Sequence, residues 1–457
     1  MATDPVQQIR ELEHETPLAM DLTATLARLA ALPPSTEAPY LTVSLDWRPE
    51  GSAPGRFQPA EPKRSERRAP RVEDGAPRRP AWQELRRDLD ETVKSYGPHG
   101  TAFESLTADM ERLATYLDEE LGPAAQGVVV IACHHQGVFE PVPLDIPVDS
   151  GFVVGSIPSL RQLARAADDY PPYAIIAADQ RDAVLWLMEG QTWDRGIQLE
   201  ASEYPRKQQQ GGWSQQRYQN RADERVEAFA RTIAEETRRA FEEVNAPVLY
   251  KYLIISANEQ MFTLLNAELH ETIKNRVLGQ LTLPIQADIS EVTAAAEPLV
   301  EEAERRREME AVQAVRDGVG AGGRGVAGAQ DTITALETGQ VMTLVMNDDF
   351  SQPGWADYSL PLFGVGSPPG EHPAGGDAAD LMSTAVEDEV VRLALQIGAE
   401  VQLVRSAVPV GEEEQEQIPD ADDPTPRSEA ARSLDELGGI GAVLRYALDE
   451  GQPTADL

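Results

Sequence analysis

The run Tyr173-Ala-Ile-Ile-Ala-Ala178 constrains this chain more than any other stretch. It holds no polar residue to set on a solvent face, so it reads as a strand buried throughout. The turn sequence Asp179-Gln-Arg-Asp182 follows, and Ala183-Val-Leu-Trp-Leu-Met188 supplies the second strand of a hairpin. Another buried strand reads at Lys251-Tyr-Leu-Ile-Ile-Ser256, then a helix over 260–270 and a strand over 277–283 that Pro284 closes. Strands alternating with helices around a hairpin argue an α/β domain over 155–290.

Inside that domain lies the segment 204–225, YPRKQQQGGWSQQRYQNRADER. Arg206, Lys207, Arg217, Arg221 and Arg225 outnumber Asp223 and Glu224, in a chain whose formal net charge is −37. Gly211 and Gly212 allow positive φ and close approach of backbone to a crowded target. Beyond Tyr218, the residues Val226, Phe229, Ile233, Ala240, Phe241 and Val244 fall near one helical face. A glycine-hinged, amide-rich, locally basic loop therefore sits on the N-terminus of a long helix. An ordinary surface loop can have this make-up. The functional alternative is a probe whose glutamine amides position a water and whose arginines hold phosphates.

A length of 457 residues fits two to four domains. Acid excess with little lysine fits a protein working at high internal salt, where the Debye length shrinks to about 3 Å at 1 M, or one from a GC-rich genome. Cys133 is the one cysteine, which rules out an intramolecular disulfide and a cysteine-rich zinc site. After Val128–Ala132 it reads as a small core residue, and His134 and His135, expected to continue the strand, point to opposite faces rather than to one metal. No cofactor is expected. No apolar run of about 18 residues occurs, so the expectation is a soluble cytoplasmic protein without membrane contact.

Around the central domain the chain divides as follows. Residues 1–33 read as a helix ended by Pro33-Pro34, and 40–46 as a strand. Residues 48–80, rich in proline, arginine and glycine, read as a disordered insert that is either a tolerated insertion or a basic arm for RNA. Helical stripes over 81–121 and strands at 127–133 and 137–144 complete an N-terminal α/β domain, 1–150. Residues 291–324 read as a charged helix and a glycine-rich hinge. A helix at 331–337, strands at 341–346 and 400–404, a Gly/Pro loop over 360–380 and a helix at 386–397 make a small α/β domain over 325–450, with an acidic insert at 411–426.

Three stretches together resemble one family: Gly211-Gly-Trp-Ser-Gln-Gln-Arg-Tyr218, Asp331-Thr-Ile-Thr-Ala-Leu-Glu-Thr-Gly-Gln-Val-Met-Thr-Leu-Val345 and Gly438-Gly-Ile-Gly-Ala-Val-Leu-Arg-Tyr446. The chain resembles the bacterial and archaeal relatives of the class-I release factors of eukaryotes and archaea. That group includes pelota-type rescue factors and Vms/ANKZF-type peptidyl-tRNA hydrolases. The resemblance implies three α/β domains: a divergent N-terminal one, an RNase H-like middle one carrying the Gly-Gly loop, and a small C-terminal one that meets partner proteins. It implies work on the ribosome, against ribosomal RNA and peptidyl-tRNA, with a translational GTPase or other protein bound by the C-terminal domain. Many relatives carry a zinc knuckle in the third domain, but the loop 352–372 holds no cysteine.

The loop departs from both patterns of the family. In an ungapped register Trp213 stands where release factors have the catalytic glutamine after Gly-Gly. In the Vms-type register Ser214-Gln215 aligns, and Trp213 is one extra residue. Both registers stand at this level. Under the second, Gln215 orients the hydrolytic water while Gly211 and Gly212 let the loop thread in. Arg206, Lys207, Ser214, Arg217 and Arg221 contact RNA, and Trp213 either stacks on an unpaired base or anchors the loop on its own domain. Under the first, the chain is a non-catalytic rescue or hibernation factor occupying the acceptor site. A metal-dependent nuclease on the same scaffold needs paired carboxylates, and only Asp179 and Asp182 offer themselves.

Overall fold

The computed structural model describes residues 6–13, 22–48, 80–190, 192–201, 214–242, 250–321, 323–407 and 427–446. They form two compact units, one of 6–13 with 170–303, the other of 22–48 and 80–169 with 304–446. The architecture is mixed α/β.

The first unit is built on a six-stranded sheet in the order Val6–Glu13, Thr192–Ala201, Asp182–Glu189, Tyr173–Ala178, Tyr252–Ala257, Val277–Leu281. The expected hairpin is present, with Ile176 opposite Leu185. The strands Tyr252–Ala257 and Val277–Leu281 extend the sheet in parallel. Apart from Val6–Glu13, three antiparallel strands precede two parallel ones, in the order third, second, first, fourth, fifth. That is an RNase H-like arrangement.

The two-residue period of a strand sorts side chains between the faces. Ala174, Ile176, Leu185, Leu187, Leu253 and Ile255 meet Phe229, Ile233 and Phe241 of the helix Ser214–Glu242, and Met261 and Leu265 of the helix Glu259–Glu268. Tyr173, Ile175, Met188 and Ile254 meet Val292, Ala296 and Val300 of the helix Ile289–Ala321 on the other face. Helices cover the central strand on both sides, which is why it carries no polar residue.

The helix expected over 1–33 is corrected. Val6–Glu13 is a strand, antiparallel to Thr192–Ala201 with Ile9 opposite Leu199, and only Leu22–Ala30 is helical. Val6, Ile9 and Leu12 recur at a spacing of three, which imitates a helix. The strand forms through a partner remote in sequence, Thr192–Ala201, in which Ile197, Leu199 and Ala201 alternate with Gln198 and Glu200.

The second unit holds an antiparallel sheet in the order Val138–Leu144, Gly127–Cys133, Tyr40–Asp46, Gly151–Gly155. Leu89 and Val93 of the helix Pro80–Ser95, and Leu106 and Leu113 of the helix Thr101–Thr115, pack on Leu41, Val43, Leu45, Val128 and Val130. Gly151–Gly155 closes this sheet beyond residue 150. The same unit holds the sheet Gly325–Ala327, Ile440–Leu444, Val341–Asn347, Glu400–Val404. Val312 and Val315, from the C-terminal part of the long helix, join Ala430, Ala431 and Leu434 of the helix Glu429–Asp435 beneath it. Helices Ala329–Glu337 and Val386–Gln396 contribute the buried Ile333, Leu336, Val390 and Val391.

Where a Gly/Pro loop was expected, Leu362–Val365 is a strand. It pairs with Pro353–Asp357, which pairs in turn with Met382–Ala385. Residues 49–79 of the first insert and the whole of 411–426 lie outside the described residues. Among the described residues no helix is long and apolar enough to cross a membrane.

Candidate functional site

The helix Ser214–Glu242 begins where the Gly-Gly loop ends. Arg206, Lys207, Gly211, Gly212 and Trp213 lie outside the described residues. Ser214, Gln215, Arg217 and Arg221 fall, by backbone, in the first turns of this helix, and their side chains lie outside the description. Positions 217, 221 and 225 recur at a helical spacing of four. A helix N-terminus carries about half a unit of positive charge from its unpaired amides, which adds to the local excess of arginine.

What the structure shows fully is how the helix is held. Phe229, Ala230, Ile233, Ala234, Ala240 and Phe241 are buried and Val226 packs beside them, while Val244 lies outside the described residues. Arg276 donates from Nη1 to the Tyr250 carbonyl at 2.6 Å, and its guanidinium lies 5.6 Å from the Phe241 ring centroid. Arg231 makes a two-pronged bond to Glu268 at 3.0 and 3.2 Å, tying the helix to Glu259–Glu268. Arg238 with Glu235 and Glu242, and Arg239 with Glu236, form pairs along its exposed side. The helix is thus anchored along its middle and C-terminal half. Arg276, Tyr250 and Glu268 were not foreseen. Each acts across elements distant in sequence, and no one-dimensional period marks such a brace.

One of the two carboxylates of the nuclease reading has other work. Asp179 Oδ1 accepts the N–H groups of Arg181 and Asp182 at 2.7 and 2.8 Å, closing the hairpin turn. Among the described residues no three His, Cys, Asp or Glu side chains gather as a metal-binding set. In the three-stranded sheet, Asp357 Oδ2 and His372 Nε2 lie 3.0 Å apart, and the Ser359 hydroxyl donates to Asp357 Oδ1 at 2.7 Å. The Ser359 hydroxyl first, then His372 and two backbone amides, hold the Asp357 carboxyl down to about 2. This buried pair pins the loop that ends at His372 to the strand Pro353–Asp357.

Cys133 is buried at the end of its strand, as expected, and burial pushes its thiol up. His134 and His135 do not continue that strand, which corrects the expectation of opposite faces. They start a short 3-10 turn, His134–Gln136, and the His135 N–H bonds to Ser105 Oγ at 3.0 Å. Next to this turn, burial pushes Asp109 up to about 6 from 3.8, against the lowering effect of the His134 amide. A carboxyl whose folded pKa is raised binds its proton more tightly when folded. Its cost to stability is therefore absent below pH 3.8 and fully present above about pH 6. Asp109→Asn is expected to raise Tm by a few degrees at pH 8 and by nothing measurable at pH 3.5. Scans of both proteins at both pH values check this, and a gain of equal size at both would contradict it.

With this geometry in view, residues 158–301 match the family model described as bacterial archaeo-eukaryotic release factor family 10. The matched segment is less than half of the chain. It contains every strand of the six-stranded sheet except Val6–Glu13, together with the loop and its helix. The chain is also 24% identical to peptide chain release factor subunit 1 of Thermococcus onnurineus (strain NA1), over 63% of this chain and 69% of that protein. Among solved structures it is similar to the archaeal translation termination factor aRF1, at 15% identity and a TM-score of 0.22, covering 93% of this chain and 98% of that one. It is similar also to Dom34 of S. cerevisiae, a translation termination-like factor, at 12% identity and a TM-score of 0.36, covering 74% and 79%. With TM-scores this low, superposition assigns no residue of the matched segment to a residue of those proteins.

Proposed function

We propose that this protein acts in translation termination or rescue, and that it hydrolyses the ester joining a nascent peptide to tRNA on stalled ribosomes. The observation that carries the reading is a Gly-Gly, amide-rich, basic sequence directly before a helix anchored along its middle and C-terminal half, within the segment that matches family 10. Such chemistry asks little acid–base machinery of the protein. The loop has to bring a water in line with the ester carbonyl and keep other waters out. Gln215 orients that water, Gly211 and Gly212 allow the close approach, and Arg206, Lys207, Arg217 and Arg221 hold phosphates of tRNA or ribosomal RNA. Trp213 stacks on an unpaired base. A GTPase or other protein meeting the C-terminal sheet belongs to the same reading.

A second reading rests on Trp213 itself. In the ungapped register it replaces the catalytic glutamine, and the protein then occupies the acceptor site as a rescue or hibernation factor without hydrolysis. One experiment separates the two. Purified stalled ribosome–peptidyl-tRNA complexes are mixed with the protein at its native salt, and binding by sedimentation and peptide release are both measured. Binding with release supports the first reading, binding without release the second, and a protein that stays in the free pool defeats both.

Arg217→Ala is expected to weaken ribosome binding and to reduce the slope of log K against log salt by about one unit, because one phosphate contact is lost. A salt titration of both proteins measures this. An unchanged slope would remove Arg217 from the RNA-facing set.

A further inference from the structure

The strand Glu400–Val404 is the last in its sheet, parallel to Val341–Asn347. A strand at an edge presents unpaired backbone groups that invite another strand. Here that edge is taken by a helix of the same unit, Arg161–Asp169, which follows the N-terminal sheet in sequence. Asp168 Oδ2 accepts the Leu403 N–H at 2.9 Å and the Gln402 amide at 2.8 Å, and Oδ1 accepts from Arg307 at 3.1 Å. Asp168 and Gln402 are both buried. A carboxylate buried in this way is stable only while its donors stay in place.

Contacts on both sides of the helix repeat the pattern. Arg161 reaches the Phe350 carbonyl at 3.4 Å, and Arg165 lies 3.5 Å from Asp348, at the carboxyl end of Val341–Asn347. Just before the helix, the buried Ser159 hydroxyl donates to the buried Asp388 at 2.6 Å. Apart from this helix, the Gln396 amide donates to the Ala30 carbonyl at 2.8 Å, joining the helices Val386–Gln396 and Leu22–Ala30. Arg405, just past the strand, binds Glu308 at 2.7 Å and lies 4.0 Å from Asp169.

We propose that the helix Arg161–Asp169 is the resident occupant of the edge strand Glu400–Val404, and that Asp168 locks the N-terminal and C-terminal sheets into one cooperative body. A protein that adds a strand to the C-terminal sheet is thereby excluded from this edge unless the helix leaves. The inference stands apart from the translational reading, since it concerns no loop residue.

Native-state hydrogen exchange of the full chain under increasing denaturant tests it. In the unsubstituted protein, the amides of Tyr40–Asp46, Gly127–Cys133 and Val341–Asn347 should open together, with one denaturant dependence, and the Leu403 amide should be protected. Asp168→Ala should lower Leu403 protection by roughly a hundredfold and split the two sheets into separate openings. Gln402→Leu, which removes one donor to Asp168 and keeps the side chain's bulk, should move both readouts in the same direction by less. It decides the matter if Asp168→Ala does not fold. Asp149→Ala, which removes only the exposed carboxylate that pairs with Arg165 at 2.8 Å, should change neither, because an exposed ion pair contributes little. Two separate openings in the unsubstituted protein, or unchanged Leu403 protection in Asp168→Ala or, where that does not fold, in Gln402→Leu, would overturn the proposal.

Discussion

Peptide release from stalled ribosomes is expected to fall about 10²–10³-fold on Gln215→Ala, with ribosome binding nearly unchanged. A water-positioning amide acts mainly in the transition state, and loss of one preorganised group of this kind typically costs that much in rate. Binding survives because the arginines that hold phosphates are untouched and the helix beneath is anchored from Phe229 to Phe241. The neighbouring Gln216→Ala is the control, since both sit in the first turn of the helix and only one has the proposed role. A wild-type rate at the uncatalysed level would leave Gln215→Ala without effect and shift the reading to the non-catalytic factor. Full activity in both variants would show that the chemistry lies elsewhere.

The fold was legible where burial was continuous or periodic. Tyr173–Ala178 announced its two covered faces by lacking any polar residue, and the spacing of Phe229, Ile233 and Phe241 announced the helix that covers one of them. It was illegible where an element is defined by a partner far away in sequence. Val6–Glu13 imitates a helix until Thr192–Ala201 lies beside it. Asp168 looks like one more acid on a polar helix until Leu403 and Gln402 are seen to need it. The candidate site was legible as composition, through two glycines, flanking amides and a local basic excess. Its bracing by Arg276, Tyr250 and Glu268 was not, because those contacts join elements that the chain visits much later.

Phe229→Ala should destabilise the loop-bearing unit by about 3–5 kcal/mol, the usual cost of removing a buried phenyl ring. Phe229 is 1% exposed among Ile176, Leu185, Ile233 and Leu253, in one core cluster that the sheet shares with the helix Ser214–Glu242. The loss is a large part of the roughly 5–15 kcal/mol that holds a domain together. It should also be local. Amides of Tyr173–Ala178 and Tyr252–Ala257 should lose hydrogen-exchange protection, while those of Tyr40–Asp46 and Val341–Asn347, in the other unit, keep theirs. The same substitution should lower peptide release only as far as it lowers the folded population, so cooling should restore most of the rate. A loss in Gln215→Ala should not respond to cooling in that way, because no core is disturbed. Equal loss of protection in both units would show that they do not unfold independently. A change below about 1 kcal/mol would mean that the neighbours close the cavity, against the cost expected for so large a side chain.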